Sequence, residues 1–559
     1  MVTALSIVPI LWLIVALAVL KMAAWKACSV AAIISFILAV IPPFSQQPVH
    51  MAAGAVEGAA LAIWPILLVI TAAIFTYNLV VHTKAMDTIK TMLSSVTSDM
   101  RVLALLLAWG FGDFMEGMAG FGTAVAIPAA MMVAVGFNPL KSIVACLVAN
   151  AVPTTFGSIA IPTTTLASLT GIDPVQLGTF ISAQLFILNT ITPLFIVAII
   201  GGGVKALKGV LTVTILSGLA LSVPELIINK FIGPELSVLA SSIIIMTVIV
   251  VSAKFMPTND PDYEIKAEVR GITGGEGVIA AMPFILIFVF LLLASKLVPA
   301  IYGPLSSIKT TVIIDEAIGA KHTFVWIATP GIMIFLAAFV GGAIQKASFG
   351  EMLGVLGKTL RGLAFTYITI IAVVVTAKLM TYSGMTRNIA EALVGATGSM
   401  YPLFAPLVGA LGAFITGSGT NTNVLFGPLQ VAAANSLIPG DTGLQMWLAG
   451  INSGAAGIGK MFSPQSIAIA IGAVVPALNA YIENNKIEEK TALALRSTIR
   501  PNVIMSSVFK YFVIFIIIDG LISFLAQGTI TSLIKKKGQK SAPRGRFFYA
   551  LRTGPSENG

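Results

Sequence analysis

The stretch Phe111-Gly-Asp-Phe-Met-Glu-Gly-Met-Ala-Gly-Phe-Gly-Thr123 places two carboxylates among glycines inside a long apolar region. Glycines at 112, 117, 120 and 122 each cost roughly 1 kcal/mol relative to alanine inside a helix. A straight helix through all of them is therefore not expected. Non-helical backbone at membrane depth survives only where it is buried in protein or lines a wet cavity. Asp113 and Glu116 are three residues apart, so they share a face of any helical turn that persists. An ionisable residue in such a place points to function by default. The bland alternative, a carboxylate at the water interface, suits Asp113 better than Glu116.

The rest of the chain shows that this region is a membrane region. Of 559 residues, 57% are hydrophobic and only 10% charged, with a mean hydropathy of +0.97. Soluble domains average roughly 25% charged residues. A water-soluble enzyme is excluded, as are a disordered chain and, with two cysteines, a disulfide scaffold. Many apolar runs reach the ~20 residues needed to cross ~30 Å of hydrocarbon. The expected fold is an all-α polytopic membrane protein with about 12–14 transmembrane segments. Cys28 and Cys146 lie far apart in apolar segments and read as buried small hydrophobes. Met1 to Leu20 lacks a basic n-region and a small-residue cleavage site, and reads as a first span. The net charge of +10 does not indicate a nucleic-acid partner. Seven basic residues cluster between Lys535 and Arg552, and the others punctuate the spans, where such residues set topology.

An internal repeat organises the chain. At an offset of 300, residues 76–123 align with 376–423 without a gap. Identities include Thr76/Thr376, Ile89/Ile389, Met100/Met400, Gly112/Gly412, Phe114/Phe414 and Gly117/Gly417, within 11 in 48. An offset of 302 pairs Asn150 with Asn452, Gly157 with Gly459 and Pro162 with Pro464. Lys21 and Lys26 place the first loop in the cytoplasm, so the span at 54–81 runs inward. Counting on, its partner at 363–382 runs outward. Two inverted-topology repeats with interrupted or re-entrant helices are expected, a construction common in secondary transporters. The same count leaves the basic tail outside, against the positive-inside tendency. The division expected is 1–48, N-terminal spans; 49–253, first repeat, broken over 101–170; 254–348, central loop and connecting spans; 349–532, second repeat, broken over 401–475; and 533–559, a basic tail low in hydrophobicity and expected to be disordered.

The broken regions carry the chemistry. Asn150-Ala-Val-Pro-Thr-Thr-Phe-Gly157 and Ile161-Pro-Thr-Thr-Thr165 add hydroxyls, an amide and freed carbonyls. Such groups suit a small ion, or ordinary interhelical hydrogen bonds. In the second half, Phe414-Ile-Thr-Gly-Ser-Gly-Thr-Asn-Thr-Asn423 stands where the first half has its acidic glycine loop, uncharged but dense in donors and acceptors. Broken-helix ends aim backbone N–H groups and positive dipole ends at an anion. Gly457-Ile-Gly-Lys-Met-Phe-Ser-Pro-Gln465 then brings a cation, Lys460, into an apolar stretch. Its bland reading is snorkelling to the interface; its functional one is attraction of a carboxylate, or pairing with Glu116 when no substrate is bound. Acid in one half and base in the other describe a midplane site for a small anion. No Walker A motif and no TVGYG-like filter occur, so energy is expected from a coupled ion. Desolvation favours the neutral form of a carboxyl, which makes Glu116 the first candidate proton carrier. The Ser418–Asn423 run keeps a sodium site open.

At these residues the chain resembles the L-lactate permease family, grouped with the broader ion transporter superfamily. The matching stretches are FMEGMAGFGTAVAI (114–127), LTGID (169–173), FIGPEL (231–236), FITGSGTNTNVLF (414–426) and GKMFSPQSIAIA (459–470), with looser similarity over nearly all of residues 1–530. The resemblance implies uptake of lactate, and often glycolate, by proton symport across the bacterial cytoplasmic membrane. It places the family's acidic glycine loop on Glu116, Gly117, Gly120, Phe121 and Gly122. Its second loop falls on Thr416, Gly417, Ser418, Thr420 and Asn423, and its basic motif on Lys460, Ser463, Pro464 and Gln465. The chain departs by having Gly419 where familiar members have an aspartate, and Asp113 where they have a small residue.

The expected function is thus import of L-lactate, with D-lactate and glycolate as further substrates, by a multi-pass secondary transporter. Proton coupling is assigned to Glu116 and Asp113. Substrate binding is assigned to Lys460, Gly120, Phe121, Gly122, Thr123, Asn150, Thr416, Gly417, Ser418, Thr420, Asn421, Thr422, Asn423, Ser463 and Gln465. No cofactor and no metal are called for. The partners are a small monocarboxylate, protons ahead of sodium, the lipid bilayer and, as a candidate assembly, a homodimer. The alternatives are a sodium-coupled carrier of a di- or tricarboxylate, an intramembrane enzyme, and a channel. A lone Lys460 argues against several carboxylates, and the enzyme lacks an HExxH or a facing pair of acids. Accumulation against a gradient would exclude the channel.

Overall fold

The computed structural model describes residues 2–120, 122–256, 260–265, 274–295 and 297–541, with side chains described up to residue 528 apart from Ala18. The first half contains α1 (Val2–Ile14), α2 (Ala24–Val40), α3 (Pro48–Leu61), α4 (Leu68–His82) and α5 (Ala85–Ser94). There follow α6 (Met100–Ala104), α7 (Gly112–Met118), α8 (Thr123–Ala134), α9 (Pro139–Ala149), α10 (Gly157–Thr170), α11 (Pro174–Gly201), α12 (Leu211–Phe231) and α13 (Ser237–Phe255). After α14 (Gly274–Leu293) and α15 (Pro299–Ser307), a hairpin of β1 (Lys309–Asp315) and β2 (Ala320–Val325) precedes α16 (Pro330–Ile344). The second half adds α17 (Phe349–Gly362), α18 (Ala364–Tyr382), α19 (Met385–Thr397), α20 (Tyr401–Thr416), α21 (Gly419–Leu437), α22 (Thr442–Met461), α23 (Pro464–Asn484), α24 (Glu489–Thr498) and α25 (Pro501–Ser541).

Among the described residues, nine helical segments are long and apolar enough to cross a membrane, and ten if the pair formed by α9 and the bent segment through α10 is one span. Shorter apolar helices such as α2, α8 and α16 bring the apolar segments close to the number expected from the sequence. The architecture is that of an all-α polytopic membrane protein. The β-branched run in the 299–323 loop forms β1, which pairs with β2. The basic tail is helical as far as Ser541, and 542–559 lie outside the described residues.

Local chemistry sets the helix ends. Asn138, Asp173, Asp441 and Ser463 each cap a helix by accepting from a backbone N–H in its first turn, and a proline follows three of the four. The glycine-rich stretch differs in one respect from the expectation. Gly112 and Gly117 lie inside α7, and the chain leaves the helix only at Ala119. The reason is packing: a Cβ at Gly117 would come within 3.1 Å of Val238 on α13. The strain upstream is absorbed by π-helical winding over Leu105–Phe111. Asp113 and Glu116 therefore do share one face of a formed helix.

The same series of elements recurs in both halves. α4 turns into α5 at Lys84 and α18 turns into α19 at Gly384, both left-handed and 300 residues apart. Interhelical packing comes in matched sets. α2 lies on α18 and α4 on α16; α8 lies on α23 and α10 on α21; α1 lies on α19 and α5 on α14. Exchanging the halves turns each contact of a set into its mate.

Candidate functional site

Four helix starts meet at one cavity of ≈ 280 Å³. α8 begins behind Gly122, α10 at Gly157, α21 behind Ser418 and α23 behind Ser463. Gly122, Gly157, Ser158, Ser418, Gln465 and Ser466 all line the cavity. A helix start leaves backbone N–H groups unpaired and carries the positive end of the dipole. Four of them around one space favour an anion.

Two of these starts are tightly constrained. Ser158, Ile159 and Ala160 form a left-handed turn (φ 47, 57 and 58°) before α10 becomes right-handed. Such a turn costs L-residues roughly 1–2 kcal/mol each. Strain of this kind persists where surrounding packing imposes it, and here Ser158 Oγ donates to the Ala119 carbonyl at 2.8 Å. On the opposite side Gly417 (φ +65°) ends α20, and a Cβ there would meet Gln465 Oε1 at 2.3 Å. Ser418 then caps α21 by accepting from Asn421 N at 3.2 Å.

The charges sit at the inner wall. Lys460, in the last turn of α22, donates from Nζ to Glu116 Oε1 at 2.9 Å and to Thr154 Oγ1 at 3.4 Å. Asn150 Nδ2 donates to the other carboxylate oxygen, Oε2, at 2.9 Å. Glu116 and Lys460 are both buried, and both line the cavity. A Cβ at Gly157 would sit 2.5 Å from Glu116 Oε1, so a larger residue there would push the carboxylate off its lysine. Lys460 and Glu116, one charge from each half of the sequence, are thus bonded to each other.

The remaining sequence candidates divide by position. Thr416, Gly417, Ser418, Thr420, Asn421 and Gln465 face the cavity, with Gly122, Glu116 and Lys460. Asn150 stands one step behind, on Glu116. Gly120 and Thr123 shape the first loop: Thr123 Oγ1 donates to the Gly120 carbonyl, and a Cβ at Gly120 would strike Ser158 Oγ at 2.3 Å. Thr422 Oγ1 donates to the Ser418 carbonyl. Asn423 is held deeper, donating to the Pro162 carbonyl and to Ser453 and accepting from Asn452. Ser463 caps α23. Phe121 lies outside the described residues. Asp113 does not line the cavity, and neither of its carboxylate oxygens has a hydrogen-bond partner among the described residues.

Several groups escaped the sequence reading. Trp25 and Phe365 stack with ring centroids 5.4 Å apart at the cavity's edge, beside Thr366 and Thr369. Buried Glu57 accepts from Lys378 Nζ at 2.9 Å and from the Tyr382 hydroxyl. Glu225 and Asp519 are buried in α12 and α25. Each of these is the one acid of its apolar helix, a signal that was present in the sequence.

The L-lactate permease family model matches residues 3–526. An L-lactate permease of Streptococcus iniae is 44% identical over 437 residues, covering 78% of this chain and 91% of that protein. A glycolate permease of Escherichia coli K12 is 32% identical, covering 84% and 89%. An L-lactate permease of Bacillus subtilis is 32% identical with the same coverage. Among solved structures, the Alcanivorax borkumensis YdaH transporter is similar over 79% of this chain and 86% of its own, at 12% identity and a TM-score of 0.35.

Proposed function

Since the chain belongs to the L-lactate permease family, and is thus a multi-pass bacterial membrane transporter and not an enzyme, we propose that it imports L-lactate, and glycolate with it, by proton symport. The observation that carries this reading is the buried Lys460–Glu116 pair at the meeting point of four helix starts. Taking a charge pair out of water is costly, and removing one partner leaves an uncompensated buried charge. Lys460 therefore releases Glu116 readily only when another anion replaces it and a proton neutralises the carboxylate. A monocarboxylate and a proton entering together meet both conditions, which couples the two fluxes. The single cation suits one carboxylate, and a cavity of ≈ 280 Å³ suits a molecule of a few carbon atoms. The substrate's hydroxyl would find partners in Ser418, Thr420 and Asn421.

The matched packing of the halves supports the further reading that they are inverted-topology repeats, with the cavity between them. The test is uptake of labelled L-lactate into proteoliposomes under an imposed pH gradient and, separately, a sodium gradient. Accumulation driven by the pH gradient and abolished by a protonophore is the expected result. Accumulation driven by sodium alone would overturn the proton reading and move attention to the Ser418–Asn423 loop.

A further inference from the structure

Behind the ion pair lies a second set of buried acids. Asp113 precedes Glu116 by one helical turn of α7 and is fully buried. Gly110 and Gly117 seat this segment on α13 opposite Met246 and Val238, which sets Asp113 level with Ser241 and Ser242. The Ser241 hydroxyl is itself buried without a hydrogen-bond partner among the described residues. Trp109 Nε1 ties the same segment to α12, donating to the Ser217 carbonyl at 3.1 Å.

Two turns along α12 from Ser217 stands Glu225, 1% exposed. Asn189 Nδ2 of α11 donates to its Oε1 at 3.0 Å, and its Oε2 has no partner among the described residues. Asn229, one turn on, donates to Ser182 Oγ of α11 at 2.6 Å. Asp113 lies within electrostatic reach of both Glu225 and Glu116.

Among the described residues, no cation bonds to Asp113 or Glu225. α11 contains no ionisable residue, and neither does Leu105–Phe111. On α13 the charged residue is Lys254, in its last turn at the far end, and the short turn before α13 carries Glu235. Of the neighbouring cations, Lys460 is on Glu116, Lys141 of α9 donates to the Ile200 carbonyl, and Lys230 in the last turn of α12 is exposed. A buried carboxylate without a cation is costly, and the form that avoids this cost carries a proton.

We propose that Asp113 and Glu225 are proton stations for Glu116, forming a path from the substrate cavity to the polar seam between α11 and α12. The inference rests on the proton-symport reading. Each step moves one proton, with water as carrier, from a carboxyl group to a neighbouring carboxylate. When Lys460 turns to the substrate, Glu116 is neutralised through Asp113. When the substrate leaves, Glu116 releases that proton into the cavity with it and re-forms its pair with Lys460, while Asp113 and Glu225 regain theirs from bulk water by way of the seam, so one proton moves per carboxylate. Glu225 touches neither the cavity nor the ion pair, so the exchange of substrate across the membrane does not need it.

The experiment compares wild type, Glu225→Gln, Glu225→Asp and Asp113→Asn in proteoliposomes, all checked for a cooperative thermal transition. Two readouts are taken with labelled L-lactate: accumulation under a pH gradient, and counterflow without one. Glu225→Gln and Asp113→Asn are expected to lower gradient-driven accumulation about tenfold or more, and Glu225→Gln is expected to keep counterflow within about twofold of wild type. Glu225→Asp, which keeps a titratable group, is expected to restore part of the accumulation. Gradient-driven accumulation by Glu225→Gln equal to wild type would overturn the path and leave proton symport standing. Equal loss of accumulation and counterflow in folded Glu225→Gln and Glu225→Asp would also overturn it, making Glu225 structural. A wild type indifferent to the pH gradient would instead remove the coupling reading on which the path rests.

Discussion

Lys460 and Glu116 show how a single contact carries both stability and function. Both are buried, each is the other's charge partner, and Asn150 and Thr154 take up remaining hydrogen-bonding capacity. Lys460→Ala leaves Glu116 without its cation, and breaking a buried pair from one side costs about 3–5 kcal/mol. Protonation of Glu116 recovers part of that cost. Uptake of L-lactate by Lys460→Ala is expected to fall about 100-fold, on the scale of losing one preorganised charge in a desolvated site, while the protein remains folded. The double variant Lys460→Ala/Glu116→Gln is expected to regain most of the lost thermal stability and none of the transport. Normal uptake by the single variant, or no stability recovered by the double, would remove the pair from its assigned role.

At the scale of elements, the β-hairpin is the segment whose attachment depends on a titratable contact outside the spans. It packs on α3, with Trp64 Nε1 donating to the Val325 carbonyl at 3.0 Å and His50 bonded to Asp315. The His50 hydrogen bond, aided by the Ala317 backbone N–H, holds the Asp315 carboxyl below the usual carboxylate range. A group whose pKa is depressed by folding stabilises the fold above its unfolded value, and that contribution is lost as pH falls through the folded one. Hydrogen-exchange protection of residues 309–325 is therefore expected to hold from neutral pH down to about 4, near the unperturbed aspartate value, and to weaken below it. Asp315→Asn is expected to remove that step. Identical pH profiles for the two proteins would show that the contact does not anchor the hairpin.

At the scale of the whole molecule, the matched packing of α2 on α18 with α4 on α16, and of α8 on α23 with α10 on α21, is what a two-fold relation between halves produces. Inverted topology adds a claim about sides of the membrane. Asp87 and Arg387 are exposed residues at corresponding positions in α5 and α19. Single cysteines at each, in Asp87→Cys and Arg387→Cys, are expected to react with an impermeant thiol reagent from opposite sides of right-side-out and inside-out vesicles. The native Cys28 and Cys146 are buried and give little background. Labelling of both from one side would replace inverted repeats with parallel ones.

The sequence by itself determined the class of fold, because apolar run length and scarcity of charge admit few solutions in a bilayer. It also marked the regions in which helices break, at 119–122, 150–157 and 416–419, but packing kept Gly112, Gly117, Gly457 and Gly459 of the same regions inside helices. Glu116, Lys460 and the Ser418–Asn423 loop were legible as charges and donors in an apolar setting. Only the tertiary structure decided which of them meet. Glu116 and Lys460 are 344 residues apart, and no local pattern fixes a distance of 2.9 Å between them. Local rules likewise did not separate Ser418, at the cavity, from Asn423, held behind it, because the six residues of this helix start are alike in chemistry and differ in what packs against them. Trp25 and Phe365 lie in spans of ordinary appearance, and Glu225 shows in the sequence as an acid in an apolar span without naming its neighbours. Their place near the site or behind it comes from the packing of helices distant in sequence, a property of the assembled molecule and not of any segment.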